Sequence, residues 1–275
     1  MTALPLKIDY ALAMADGVGR AGGLTDDELG SEGPIVERSV RRVLDEVAAG
    51  RLGFWSLPSD RAALDAVDEW IGGLEEGIRD VLVLGIGGSS LGSRAVDSAL
   101  GGPPGLTDAP ARRLHFPDNA DPWLLDALLR RLDPQSTLAV VVSKSGGTVE
   151  TAAQYLVVRR WLEDALGAEH ARGHLALVTD PDKGPLRKLA RDEGIAAFEV
   201  PSSVGGRFSV LSAVGLVPAR LAGYDAGALL DGARRMAGAC ERPELRDNPA
   251  ALLATLHVLH HRLRGRSIHV LMPYA

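Results

Sequence analysis

Small hydroxyl residues crowd into two short turns of this 275-residue chain. In VLVLGIGGSSLGS, from Val81 to Ser93, Gly85, Gly87 and Gly88 lead into Ser89 and Ser90. In LAVVVSKSGGTVET, from Leu138 to Thr151, Ser143, Ser145 and Thr148 surround Gly146 and Gly147, and Lys144 adds a positive charge. An oxyanion such as phosphate is held by many short donors converging on one point, and glycines let backbone N–H groups join the hydroxyls there. Glu150 falls in the first turn of the following helix, where the macrodipole favours a carboxylate. A third segment, VGGRFSVLSAVG (Val204–Gly215), sets Arg207 behind two glycines. A guanidinium there can stabilise negative charge developing in a substrate. Each motif also has a plainer reading: a tight turn without ligand, a simple helix cap, or a surface arginine.

These residues act together only if the fold aims them at one place. Five apolar runs read as strands: Val81–Ile86, Arg113–Phe116, Leu138–Val142, Leu175–Thr179 and Ala196–Val200. Helical patterns fall between them near 90–100, 122–132, 148–166 and 184–193. That alternation predicts an α/β fold with a doubly wound, five-stranded parallel sheet. In the flavodoxin-like order 2-1-3-4-5, the first and third strands are neighbours where the order reverses, and ligands bind in that crevice. Both hydroxyl turns follow those two strands. Residues 1–64 read as a helical N-terminal extension, with Thr25, Asp26, Asp27 and Glu28 marking a helix start and Ser59 and Asp60 another. Residues 65–210 form the binding domain. Residues 211–275 read as a helical segment ending on Ile268–Met272, expected to be a buried strand opening a second, incomplete domain. Gly101–Pro110 reads as a surface loop.

Composition narrows the function classes. The chain is 46% hydrophobic and 24% charged, enough for a sizeable core. Aromatics make up 4% and the net charge is −6, which speaks against nucleic-acid and anionic-membrane partners. The single cysteine, Cys240, permits no internal disulfide, fits a cytoplasmic setting and lies in no nucleophile motif. No secretory signal and no membrane span are expected. His257 and His261 stand at i, i+4 on a helical pattern, but lack HExxH or a nearby carboxylate or cysteine pattern, so no metal is expected. Asp121 and Pro122 read as a helix start. A nucleotide site is disfavoured as well. GxGxxG from Gly85 needs glycine at position 90, which is Ser90, and the P-loop Lys-Ser/Thr pair is missing.

In order, GIGGSSLGS, VVVSKSGGTVET and VGGRFSVLSAVG resemble the glucose-6-phosphate isomerase family. Ser89 and Ser143 are 54 residues apart, and Ser143 and Arg207 64. The terminal HVLMPY resembles the strand that opens that family's second domain. The resemblance implies two sugar-isomerase (SIS) domains, of which roughly 65–210 is the first, no cofactor, and a homodimer for the complete protein. It implies that a sugar phosphate is gripped by Ser89, Ser143, Lys144 (through its backbone), Ser145 and Thr148. Gly88 and Gly206 would meet the sugar, and Arg207 would stabilise a cis-enediolate. Many relatives carry bulkier residues at the two glycines of SKSGGT. The family's base, a glutamate in an ESxGK-type motif, would lie downstream of HVLMPY, outside these residues. Two function classes follow: part of an aldose–ketose isomerase, or a sugar-phosphate-binding module or regulator without catalysis.

Overall fold

The computed structural model describes residues 7–102 and 110–272, so most of the Gly101–Pro110 loop and the last residues of HVLMPY lie outside it. Contacts divide the chain into two compact units. One runs from Ser56 to Leu230; the other joins the chain up to Trp55 with residues from Asp231 onward.

The Ser56–Leu230 unit is a five-stranded, all-parallel sheet in the order β2-β1-β3-β4-β5. Its strands are β1 (Asp80–Leu84), β2 (Arg113–His115), β3 (Thr137–Val142), β4 (Leu175–Thr179) and β5 (Ala196–Glu199). The expected topology and all five expected strands are present. β1, β3 and β4 are buried along their whole length, as strands covered on both faces must be. Successive side chains alternate between two cores. Val81, Val83, Leu138, Val140, Ala176 and Val178 face one way, against Val67 and Val214, Val217 and Leu221. Leu82, Leu84, Ala139, Val141, Leu175 and Leu177 face the other, against Leu125, Tyr155, Val158, Leu162 and Leu186. A strand period of two against a helix period of 3.6 thus builds a doubly wound layer from one run of residues.

The helices that supply those partners number on from the N-terminus of the chain. α1 (Ala15–Val18), α2 (Asp26–Gly30) and α3 (Gly33–Ala48) precede the sheet unit; α4 (Arg61–Gly72), α5 (Leu91–Gly101), α6 (Pro122–Leu129), α7 (Val149–Leu166), α8 (Ala168–Ala171), α9 (Pro185–Glu193) and α10 (Ala213–Leu221) belong to it. α11 (Ala226–Cys240) carries the chain out of it, and α12 (Pro249–Arg264) follows. Local caps set several starts. Asp60 accepts from the Ala63 N–H ahead of α4, and Asp121 accepts from Trp123 and Leu124 ahead of α6, with Pro122 at its first position. At the lower end of the sheet, buried Asp80 accepts two 2.8 Å hydrogen bonds from Arg113 and lies 2.7 Å from His115 Nε2. Arg113 holds this carboxyl below the usual carboxylate range, with help from His115.

In the other unit, Thr25 and Glu28 form a reciprocal capping box that starts α2. Leu24, Leu29, Val36 and Val40 pack with Leu252, Leu256 and Leu259 of α12. The terminal apolar run corrects one expectation. Ile268–Met272 forms no strand, and Ile268, Val270 and Leu271 are 83%, 74% and 90% exposed. A strand exists only by pairing its N–H and C=O groups with a neighbour, and no such neighbour is present among the described residues.

Candidate functional site

The upper ends of the strands carry the two hydroxyl turns. β1 and β3 are adjacent, and the order reverses between them, so their two turns open on the switch point. After β1, Gly87–Ser89 makes one tight 3₁₀ turn before α5. After β3, the chain turns through Ser143–Gly147 into α7, with Thr148 as its N-cap. Gly146 adopts φ +68°, and a Cβ there would come within 2.9 Å of the Leu186 N. Any other residue at Gly146 would meet both backbone strain and a clash. Gly147 has open space instead, so of the two glycines in SKSGGT only the first is demanded by this backbone.

The β5 loop joins the two turns. Lys144 Nζ donates to the carbonyl oxygens of Ser202 and Val204, at 2.7 and 2.8 Å. Its charge is therefore committed to fixing the loop after β5 that carries VGGRFS, while its backbone stays at the turn. That segment lands on the first turn. A Cβ built on Gly88 would sit 2.3 Å from the Gly206 carbonyl oxygen and 3.0 Å from the Arg207 N. Only a glycine permits this approach. It sets Gly88, Gly206 and the exposed Arg207 side by side.

Ser89, Lys144, Ser145 and Thr148 line a cavity of about 650 Å³. Ser143 lies beneath it, 2% exposed, with its Oγ 3.0 Å from Thr148 Oγ1. Thr148 Oγ1 pairs with Ser143 rather than with the helix backbone, and no side chain caps α7. The first-turn N–H groups of this 18-residue helix, with the positive end of its dipole, remain open toward an anion. Ser145 Oγ accepts from the Gly147 N–H at 3.3 Å, shaping the turn.

Four further residues line the same cavity and were not singled out from the sequence: Asp180, Lys183, Gly184 and Ser202. Asp180 follows β4. Its Oδ1 accepts from the N–H groups of Asp182 and Lys183, and its Oδ2 from the Ser202 hydroxyl. The Asp182 N–H, above all, holds this carboxyl below the ordinary range, with smaller contributions from Ser202 and Lys183. An ionised Asp180 with both oxygens engaged organises the loop, and Lys183 leaves it as an exposed cation. The signal was available. TDPDKG is a turn directly after the fourth apolar run, and the strand order puts β4 beside β3.

Elsewhere, His257 lies against His269, with tilted rings whose centroids are 4.0 Å apart, and the His257–His261 pair gathers no third ligand among the described residues. Burial pushes the Cys240 thiol up from its ordinary value.

Comparison with known proteins decides the family. The phosphoglucose isomerase family model matches residues 62–275. The chain belongs to that family. A glucose-6-phosphate isomerase of Rubrobacter xylanophilus is 41% identical over 257 residues, covering 92% of this chain and 58% of that protein. One from Thermus thermophilus is 39% identical over 251 residues, covering 90% and 57%. Among solved structures of the family's fold, a hypothetical protein from Thermus thermophilus aligns with a TM-score of 0.79 at 40% identity, over 86% of this chain and 55% of that one. A glucose-6-phosphate isomerase from Chlamydia trachomatis aligns with a TM-score of 0.65 at 30% identity, over 76% and 39%. This family member thus spans about half the length of the curated relatives it matches. No helix among its described residues is long and apolar enough to cross a membrane.

Proposed function

We propose that this chain is the phosphate-anchoring part of an aldose–ketose isomerase that interconverts glucose 6-phosphate and fructose 6-phosphate. The reading rests on one observation: an uncapped α7 N-terminus and the hydroxyls of Ser89, Ser145 and Thr148 meet in one cavity. Ser143 orients Thr148 from below. The phosphate then receives hydroxyl donors from two turns, backbone N–H groups of the Lys144–Thr148 turn and α7, and the charge of Lys183. Gly88 and Gly206 allow the sugar to approach backbone, and Arg207 stands beside them to stabilise an enediolate oxyanion.

Isomerisation moves a proton between C2 and C1, which needs a base within hydrogen-bond reach as well as oxyanion stabilisation. By the family resemblance, that base would lie downstream of these residues. We therefore assign substrate binding to this chain and proton transfer to the complete protein, working as a cytoplasmic homodimer. Loss of the base alone removes about 10²–10⁴ in rate. Calorimetric titration of the 275-residue chain with fructose 6-phosphate tests the assignment. Saturable binding that inorganic phosphate displaces is expected, without appreciable turnover. Absence of binding, or robust turnover by this chain alone, would overturn it.

A further inference from the structure

The structure assigns a divalent-metal site to Glu75, His170 and His174, at the end of the sheet opposite the phosphate cavity. His174 enters β4 at its lower end, His170 lies on α8, and Glu75 lies in the segment that joins α4 to β1. One ligand atom from each residue lies within 4.8 Å of the other two.

His174 carries the inference. It is 1% exposed, and its Nδ1 lies 2.8 Å from the Thr137 carbonyl oxygen. A carbonyl only accepts, so Nδ1 carries a proton, which leaves Nε2 as the atom able to bind a metal. Nε2 is buried and meets no hydrogen-bond partner. An N–H to backbone carbonyl contact of this kind is what orients imidazoles that bind metals. The nearby Glu75 carboxylate cannot supply a donor to Nε2. Its Oε2 lies 3.5 Å from His170 Nε2, and the two imidazole rings are 5.1 Å apart. A cation satisfies all three groups at once.

Two imidazoles and one carboxylate suit a borderline ion such as Zn²⁺, with solvent completing the fourth position. Tetrahedral bonds of about 2.0–2.1 Å need ligand atoms about 3.4 Å apart. Closing the cluster therefore asks for movements of about 1–1.5 Å. Glu75 and His170 can make them, because their side chains are 61% and 50% exposed while His174 stays fixed. His170 and His174 stand at i, i+4, a spacing metals can use, and the fold adds Glu75 from a segment about a hundred residues earlier.

The test is a Co²⁺ titration of the chelator-stripped chain followed by visible absorption, with Zn²⁺ as competitor. One Co²⁺ per chain with intense tetrahedral bands, displaced by Zn²⁺, is expected. His170→Ala and Glu75→Gln should each weaken binding at least tenfold while leaving the metal-free melting temperature unchanged. His257→Ala should leave the bands intact. Absence of tetrahedral bands, bands indifferent to both exposed-ligand variants, or bands lost in His257→Ala would each overturn the assignment.

Discussion

Gly88→Ala is the sharpest perturbation of the proposed site. The added Cβ would lie 2.3 Å from the Gly206 oxygen, 2.5 Å from its carbonyl carbon and 3.0 Å from the Arg207 N. Both partners are backbone, so neither can rotate away. Restoring ordinary contact requires the Gly87–Ser89 turn and the Gly206–Arg207 segment to separate by about 1 Å. Overpacking of this kind costs about 1–3 kcal/mol, readable as a shift in the urea midpoint at constant slope. The same displacement parts Ser89 from Arg207, and a 1 Å error in positioning can lower turnover in the complete enzyme about 10²-fold. Gly147→Ala is the internal control, because its Cβ meets nothing within 4 Å. The expected pattern is a destabilised Gly88→Ala chain with weakened fructose 6-phosphate binding, beside a near-native Gly147→Ala chain. If Gly88→Ala matches Gly147→Ala in both stability and binding, the close approach of the two segments is refuted.

Thr148→Val removes one donor and leaves the buried Ser143 hydroxyl without its partner. Hydrogen bonds to charged groups contribute about 1.5–3 kcal/mol, so phosphate affinity should fall about 10–150-fold in calorimetry. Lys183→Ala should lower phosphate affinity, more at low ionic strength than at high, with stability unchanged within about 0.5 kcal/mol. Asp80 is expected to contribute to acid unfolding. Its folded carboxyl is held below the ordinary value, so its stabilising effect is complete above about pH 5 and is lost as pH falls through the folded value. Asp80→Asn should cost about 1.5–3 kcal/mol at neutral pH and flatten the acid limb of a denaturation profile.

Strand placement, strand order and the meeting of the two hydroxyl turns were legible from sequence, because parallel strands buried on both faces write themselves as short continuous apolar runs. Helix starts at Thr25, Asp60 and Asp121 were legible through their caps. The third motif, around Arg207, is explained only by contacts that no periodicity encodes. Lys144 fixes the β5 loop through two carbonyls, and Gly88 then receives Gly206. Its place in the hydroxyl turn suggested a phosphate charge at Lys144, whereas Lys183 lines the cavity without such a commitment. Ile268–Met272 shows the opposite failure: apolar content favours a strand, but pairing requires a neighbour that composition cannot supply. His170 and His174 are four residues apart, whereas Glu75 lies about a hundred residues earlier and joins them only once the sheet has formed.

The central claim, that phosphate binds where the β1 and β3 turns face each other, is tested most directly by amide chemical shifts of the isotope-labelled chain during titration with fructose 6-phosphate. Saturable shifts of Ser89, Ser145, Gly147, Thr148 and Val149, reproduced by inorganic phosphate and abolished by Thr148→Val, are predicted. Unmoved signals at those amides while the ligand binds elsewhere, or no binding, would contradict it.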